Sequence, residues 1–231
     1  MVDTYAMILW ARANENDLDT QAKQVYDILT LLSKIDYLNP KYQRVRRKKD
    51  AREFDLTLEN VKDLIIKKRD KLFPDLGSKF GFFTSLNDNE SAGISISIGV
   101  SNLKFRNKLI INIKKNNIIN YDELTNLFKK LVEIFNPFYG AMASRINSEM
   151  FEGYFDNNNS TPKSIFDLNY WDTSIIEKLH PLSDYSAKVY EFEKINNGYY
   201  LRFQKKLINV LNNDHIELQK RINDLVGLNC L

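Results

Sequence analysis

The chain holds few of the groups on which most catalytic sites are built. Two histidines, His180 and His215, and one cysteine, Cys230, are its whole stock of imidazole and thiol among 231 residues. A zinc-type site needs three or four Cys, His or carboxylate ligands at short spacing on rigid elements. The two histidines stand apart, and no H-E-x-x-H, C-x-x-C or EF-hand pattern occurs. Ordinary surface or core roles are therefore expected for both, with no metal and no cofactor. A single thiol cannot form an internal disulfide, which suits a reducing compartment, and Cys230 reads as a spectator.

Nucleophilic and phosphate chemistry fare no better. The run Gly93-Ile-Ser-Ile-Ser-Ile-Gly99 invites comparison with a hydrolase elbow, but that turn needs glycines two positions either side of its serine. Neither Ser95 nor Ser97 has them. A phosphate cradle needs closely spaced glycines whose backbone N–H groups face the anion, and Gly77 and Gly81 have no Lys-Ser/Thr after them. Carboxylates remain, and Glu191 with Glu193 share one strand face. Acids are mostly exposed, so a solvated face is the simpler reading of that pair.

One stretch stands out by charge. Tyr42-Gln-Arg-Val-Arg-Arg-Lys-Lys-Asp50 lies within residues 41–71, which hold 12 Lys and Arg against 6 Asp and Glu, while the whole chain carries only +3. Clustered cations near an aromatic can release counterions from a phosphate backbone, so a nucleic-acid reading of 41–71 is open. The acids Asp50, Glu53 and Asp55 follow at once, and a pI of 8.7 falls short of a strongly basic footprint. Surface charge more often steers encounters, so a solvated run or a protein-binding patch is favoured over nucleic acid.

The elements that must position these residues follow from periodicity. Thr4-Tyr-Ala-Met-Ile-Leu-Trp10 is a short apolar run and reads as a buried strand. It is broken at once by Arg12, Glu15 and Asp17, so neither a signal peptide nor a membrane span is expected. Leu18, Ala22, Val25, Leu29 and Leu32 make one helix face, expected to run toward Asn39-Pro40. Leu58, Val61, Leu64, Ile65 and Leu72 share the face of a second helix ending at Pro74. Phe80–Leu86, the alternating Gly93–Val100 and Leu109–Ile113 read as strands, the last two paired antiparallel because the loop between them is too short for a crossover. Tyr121–Phe135 is helical up to Asn136-Pro137, and Phe138–Ile146 reads as a further strand. Asn197-Gly198 between Val189–Ile195 and Tyr199–Phe203 predicts a hairpin. A last helix spans about Asp214 to Val226.

Strand runs beside separate helices predict one α+β domain over 1–231, a mostly antiparallel sheet with helices packed chiefly on one face. An irregular exposed stretch is expected at about 148–185. The composition, 43% hydrophobic and 27% charged with few Gly and Pro, is that of a globular protein.

Taken in order, these pieces resemble the immunity protein 52 family, cytoplasmic bacterial proteins that neutralise polymorphic toxins. The resemblance is carried by Trp10-Ala-Arg12 at the end of the aromatic strand, by Asp36-x-x-x-Pro40 and by Leu76-Gly77 with Gly81-Phe82. Strand Ile94–Gly99 followed by Asn107, and Pro137-x-x-Gly140 after a helix, complete it over the first two-thirds of the chain. It implies a cytoplasmic, non-catalytic inhibitor whose partner is a cognate protein toxin. Such a protein needs a rigid scaffold, a surface of opposing charge and a few aromatic or Arg anchors. Arg44, Arg46, Arg47 and Lys48 are the candidates, with Tyr170 and Trp171 as the aromatic alternative. Burial in the core is the favoured role for Trp171.

Overall fold

A computed structural model describes residues 4–45, 47–118, 120–157 and 160–228. The protein is α+β, and its strand pairs are antiparallel wherever their register is defined. The chain divides into two compact units, one formed by Ile8–Ile118 and the other by Met1–Met7 with Ile119–Leu231.

In the Ile8–Ile118 unit, β1 (Thr4–Arg12, whose first residues belong to the other unit) leads into α1 (Leu18–Leu32). Asp17 caps α1 by accepting the Thr20 N–H at 2.8 Å, which satisfies one of the orphan donors of the first turn. The buried face of α1 is Ala22, Val25, Ile28, Leu29 and Leu32. The helix stops at Leu32, and a short 3-10 turn, Asp36–Leu38, fills the approach to Pro40. Then come β2 (Tyr42–Gln43), β3 (Arg52–Glu53) and α2 (Leu58–Lys68), which is capped by Thr57.

α2 buries Val61, Leu64 and Ile65, but Leu58 is exposed and Leu72 lies beyond the helix, in the open. Arg69 already has extended backbone, with ψ 135°, so the helix ends well before Pro74. β4 (Ser78–Phe83), β5 (Gly93–Ile98) and β6 (Arg106–Lys114) complete the unit, in the strand order β1-β6-β5-β4-β2-β3. β6 alternates as period-2 patterning requires, with Asn107, Leu109, Ile111 and Ile113 buried. Each such aliphatic side chain contributes about 1.5–3 kcal/mol of burial. Asn107 is buried because its amide closes a turn, accepting from Val100 N at 3.0 Å and donating to Arg12 O at 2.9 Å.

The other unit opens with α3 (Tyr121–Phe135), capped by Asn120 and ended by Asn136 in the left-handed conformation, φ 48°. β7 (Tyr139–Ser144), α4 (Arg145–Met150), the short pair β8 (Phe155–Asp156) with β9 (Thr161–Pro162), and β10 (Leu168–Asp172) follow. Next are α5 (Thr173–Ile176), α6 (Leu182–Tyr185), β11 (Glu191–Ile195), β12 (Gly198–Arg202) and α7 (Asn213–Val226). The strand order here is β11-β12-β10-β7-β1.

Two expectations need correction in this unit. The stretch about 148–185, expected to be irregular and exposed, contains β10, and every residue of β7 and β10 is buried. A strand covered on both faces has no alternation to reveal it. The hairpin turn is also displaced by one residue, because Ile195 pairs with Gly198 and the loop is therefore Asn196-Asn197. Asn196 takes the positive φ of 49°. Gly198 is needed for a different reason. A Cβ there would stand 2.4 Å from Trp171 O and 2.7 Å from the Tyr170 hydroxyl.

Candidate protein-binding surface

Arg44, Arg47 and Lys48, singled out from the sequence for their charge, fall on the loop that joins β2 to β3. Because β2 pairs with both β3 and β4, the loop leaves from a fixed strand edge. Its departure is pinned where Arg44 N donates to Gly81 O at 2.8 Å. The Arg44 guanidinium lies 5.8 Å from the Phe83 ring centroid and the Lys48 ammonium 5.4 Å from it. Cations over an aromatic face are attracted by its quadrupole. One half-buried ring on β4 thus organises two of the loop's charges.

Lys48 is held further by Asp88, at 2.8 Å, on the loop between β4 and β5. Its side chain is only 19% exposed, whereas that of Asp88 is open. The hydrogen bond and positive charge of Lys48 hold the Asp88 carboxyl below its ordinary value. Arg47 points outward and pairs with Asp50 at 3.0 Å. Arg44 and Val45 are exposed beside them. Arg46 lies outside the described residues. Phe83 and Asp88 carry no local sequence signal of this role, since they lie 35 or more residues away in the chain and join the loop only through strand pairing.

Tyr170 and Trp171 are corrected as partner anchors. Both are fully buried in β10, so neither has surface to offer a partner. The Tyr170 hydroxyl donates to Ile195 O at 3.2 Å, and burial pushes this phenol up to about 12. Trp171 packs edge-on against Tyr185, with ring centroids 6.5 Å apart. They are core, and Gly198 fits against them.

Glu191 and Glu193 do not converge as a pair of free acids. Lys129 Nζ lies 2.6 Å from Glu193 and 3.3 Å from Glu191, and Arg202 Nη1 is 3.1 Å from Glu191. The two acids latch the β11 edge to α3 and β12. His180 Nδ1 lies 3.1 Å from Leu225 O, and His215 Nδ1 accepts the Asn209 N–H at 3.1 Å, so both rings serve local structure. Among the described residues no group of three or more His, Cys, Asp or Glu is placed to hold a metal ion. Among the same residues no helix is long and apolar enough to cross a membrane.

By fold the chain is an α+β protein built on antiparallel ladders. A solved structure of similar fold is the Pseudomonas aeruginosa T6SS protein PA0821, with a TM-score of 0.61 over 97% of this chain and 73% of that one. The two are 7% identical, so the likeness is one of fold alone. No family model matches the chain. No curated protein matches it either.

Proposed function

We propose that the chain is a toxin-neutralising immunity protein, acting in the bacterial cytoplasm by stoichiometric binding to a cognate toxin and without bond-making chemistry of its own. The observation that carries this reading is the loop between β2 and β3. Its cations are pre-placed by Phe83, Asp88 and the β2–β4 ladder, a fixed basic edge of the kind that steers an acidic partner. The ordered motifs resembling the immunity protein 52 family support it, and so does the shared fold with a T6SS protein.

The test is protection. Cells making the toxin encoded beside this gene should die without the chain and survive with it, and death in both cases ends the proposal. The nucleic-acid reading rests on the same exposed Arg44 and Arg47, although Asp50 and Asp88 neutralise two of the loop's cations. Binding to DNA or RNA that falls steeply between about 50 and 200 mM salt would replace the toxin reading.

A further inference from the structure

The Ile8–Ile118 unit has a second surface, at the Ser78 end of β4, where the turn 69–77 meets the turn 99–105. Asp75 ties the two. Its backbone oxygen accepts from Ser101 N at 3.0 Å and Asn102 N at 3.2 Å, and its carboxylate accepts from Asn102 Nδ2 at 2.6 Å. Asp70 Oδ1 accepts the Leu72 and Phe73 N–H groups at 3.0 and 2.9 Å, while Arg69 Nε donates to Pro74 O at 3.3 Å. The turns are therefore held in shape by their own hydrogen bonds.

They hold four large apolar side chains out of the protein. Leu72 is 84% exposed, Phe73 58%, Leu103 90% and Phe105 50%. Exposed leucines scattered singly need no explanation, but four large apolar side chains exposed on two turns tied to each other call for one. The surrounding charge is one-sided. Residues 67–76 and 101–106 together carry six basic side chains and only two acidic ones, Asp70 and Asp75. Both acids are engaged within the turns, as is Arg69, and Arg106 lies over the Trp10 ring, so the exposed Lys67, Lys71 and Lys104 set the sign of the rim.

We propose that these turns dock a protein whose apolar recess is rimmed by carboxylates and, resting on the reading above, that this protein is the toxin. Charge decides the occupant. A second copy of this chain would bring one basic rim against another, which costs energy as the surfaces close. The pre-formed turns lower the ordering cost of a specific contact, and the four apolar side chains, Leu72 and Leu103 the most exposed among them, supply the surface it would bury. The basic loop at the other end of β4 contributes steering, because Arg47 and Lys48 already have internal partners.

The experiment titrates the catalytically inactivated toxin of the neighbouring gene into three purified proteins by calorimetry. These are the wild type, Leu72→Asp with Leu103→Asp, and Leu211→Asp, a leucine 89% exposed in the other unit. The double variant is expected to bind on the order of 100-fold more weakly, and Leu211→Asp to bind like wild type. Leu72→Ser with Leu103→Ser provides a second variant without added charge, expected to lose about 10-fold. Thermal melts establish that each variant is folded. Wild-type binding matched by both double variants overturns the docking site and leaves the immunity reading standing. No wild-type binding overturns both. Loss of wild-type adhesion to phosphatidylserine vesicles, or of wild-type dimerisation, in the double variants without a change in toxin affinity would reassign the surface to lipid or to a second copy.

Discussion

Lys48 Nζ lies 2.8 Å from Asp88 Oδ1, across forty residues of chain, with the Phe83 ring beneath the ammonium. This contact joins the basic loop to the β4–β5 loop and sets the charge that the surface presents. Because Lys48 lowers the Asp88 pKa, the tether is fully present above the unfolded carboxylate value and is lost as pH falls through the lowered one. An NMR titration should place Asp88 below the usual aspartate range near 3.9 in the wild type and return it there in Lys48→Met. An unchanged Asp88 titration in the variant would break the link between the loops.

Gly198 is predicted to tolerate no side chain. Its absent Cβ would meet the Trp171 carbonyl oxygen at 2.4 Å, which is backbone and cannot swing aside. Gly198→Ala should cost about 2–3 kcal/mol in urea unfolding by overpacking. A cost within experimental error would mean that the hairpin is not seated on β10 as described.

Arg202 should matter beyond its charge. Its side chain is 4% exposed, pairs with Asp122 at 2.8 Å and Glu191 at 3.1 Å, and lies 4.4 Å from the Tyr121 ring centroid. Arg202→Met leaves Glu191 partly buried with only the more distant Lys129. The expected loss is about 2 kcal/mol, below the range for wholly buried pairs because both acids keep some water. Arg202→Lys retains charge but not the fork that also donates to Lys205 O, and should fall between the two. Chemical denaturation ranks all three.

The amide network on α7 supplies a further prediction. Asn223 accepts the Ile165 N–H at 2.8 Å and donates to Ser164 Oγ at 2.9 Å, while Gln219 exchanges hydrogen bonds with Asn147. Asn223→Ala strands the buried Ile165 N–H, at about 2 kcal/mol. Amide exchange at Ile165, deprived of its acceptor, should accelerate by at least the factor by which global unfolding does, and unchanged exchange would contradict the network's role.

Elements with a clean period were legible in the sequence. The helix Tyr121–Phe135 was legible to the residue, because Leu124, Leu127, Phe128 and Leu131 face one way and Asn136-Pro137 stops it. β5 was legible by its alternation, and β6 as the strand that pairs with it across a short turn. β10 was not, since Leu168 to Asp172 are buried on both faces and carry no alternating signal. Leu72 was assigned to a helix face by spacing alone, although the chain turns extended at Arg69. Of the candidate site, the charges on Arg44, Arg47 and Lys48 were visible. Their organisers, Phe83 and Asp88, were not, because only strand pairing brings them near. The apolar turns were hidden for the same reason, since Asp75 joins segments well separated in sequence.

As proposed, this protein silences a toxin by occupying it. Increasing amounts of the chain added to a fixed amount of the active toxin give the direct measure. Activity should fall linearly and reach its floor at about one equivalent, at once and without further decline. Silencing by a small fraction of an equivalent, deepening with time, would mean turnover and contradict the account.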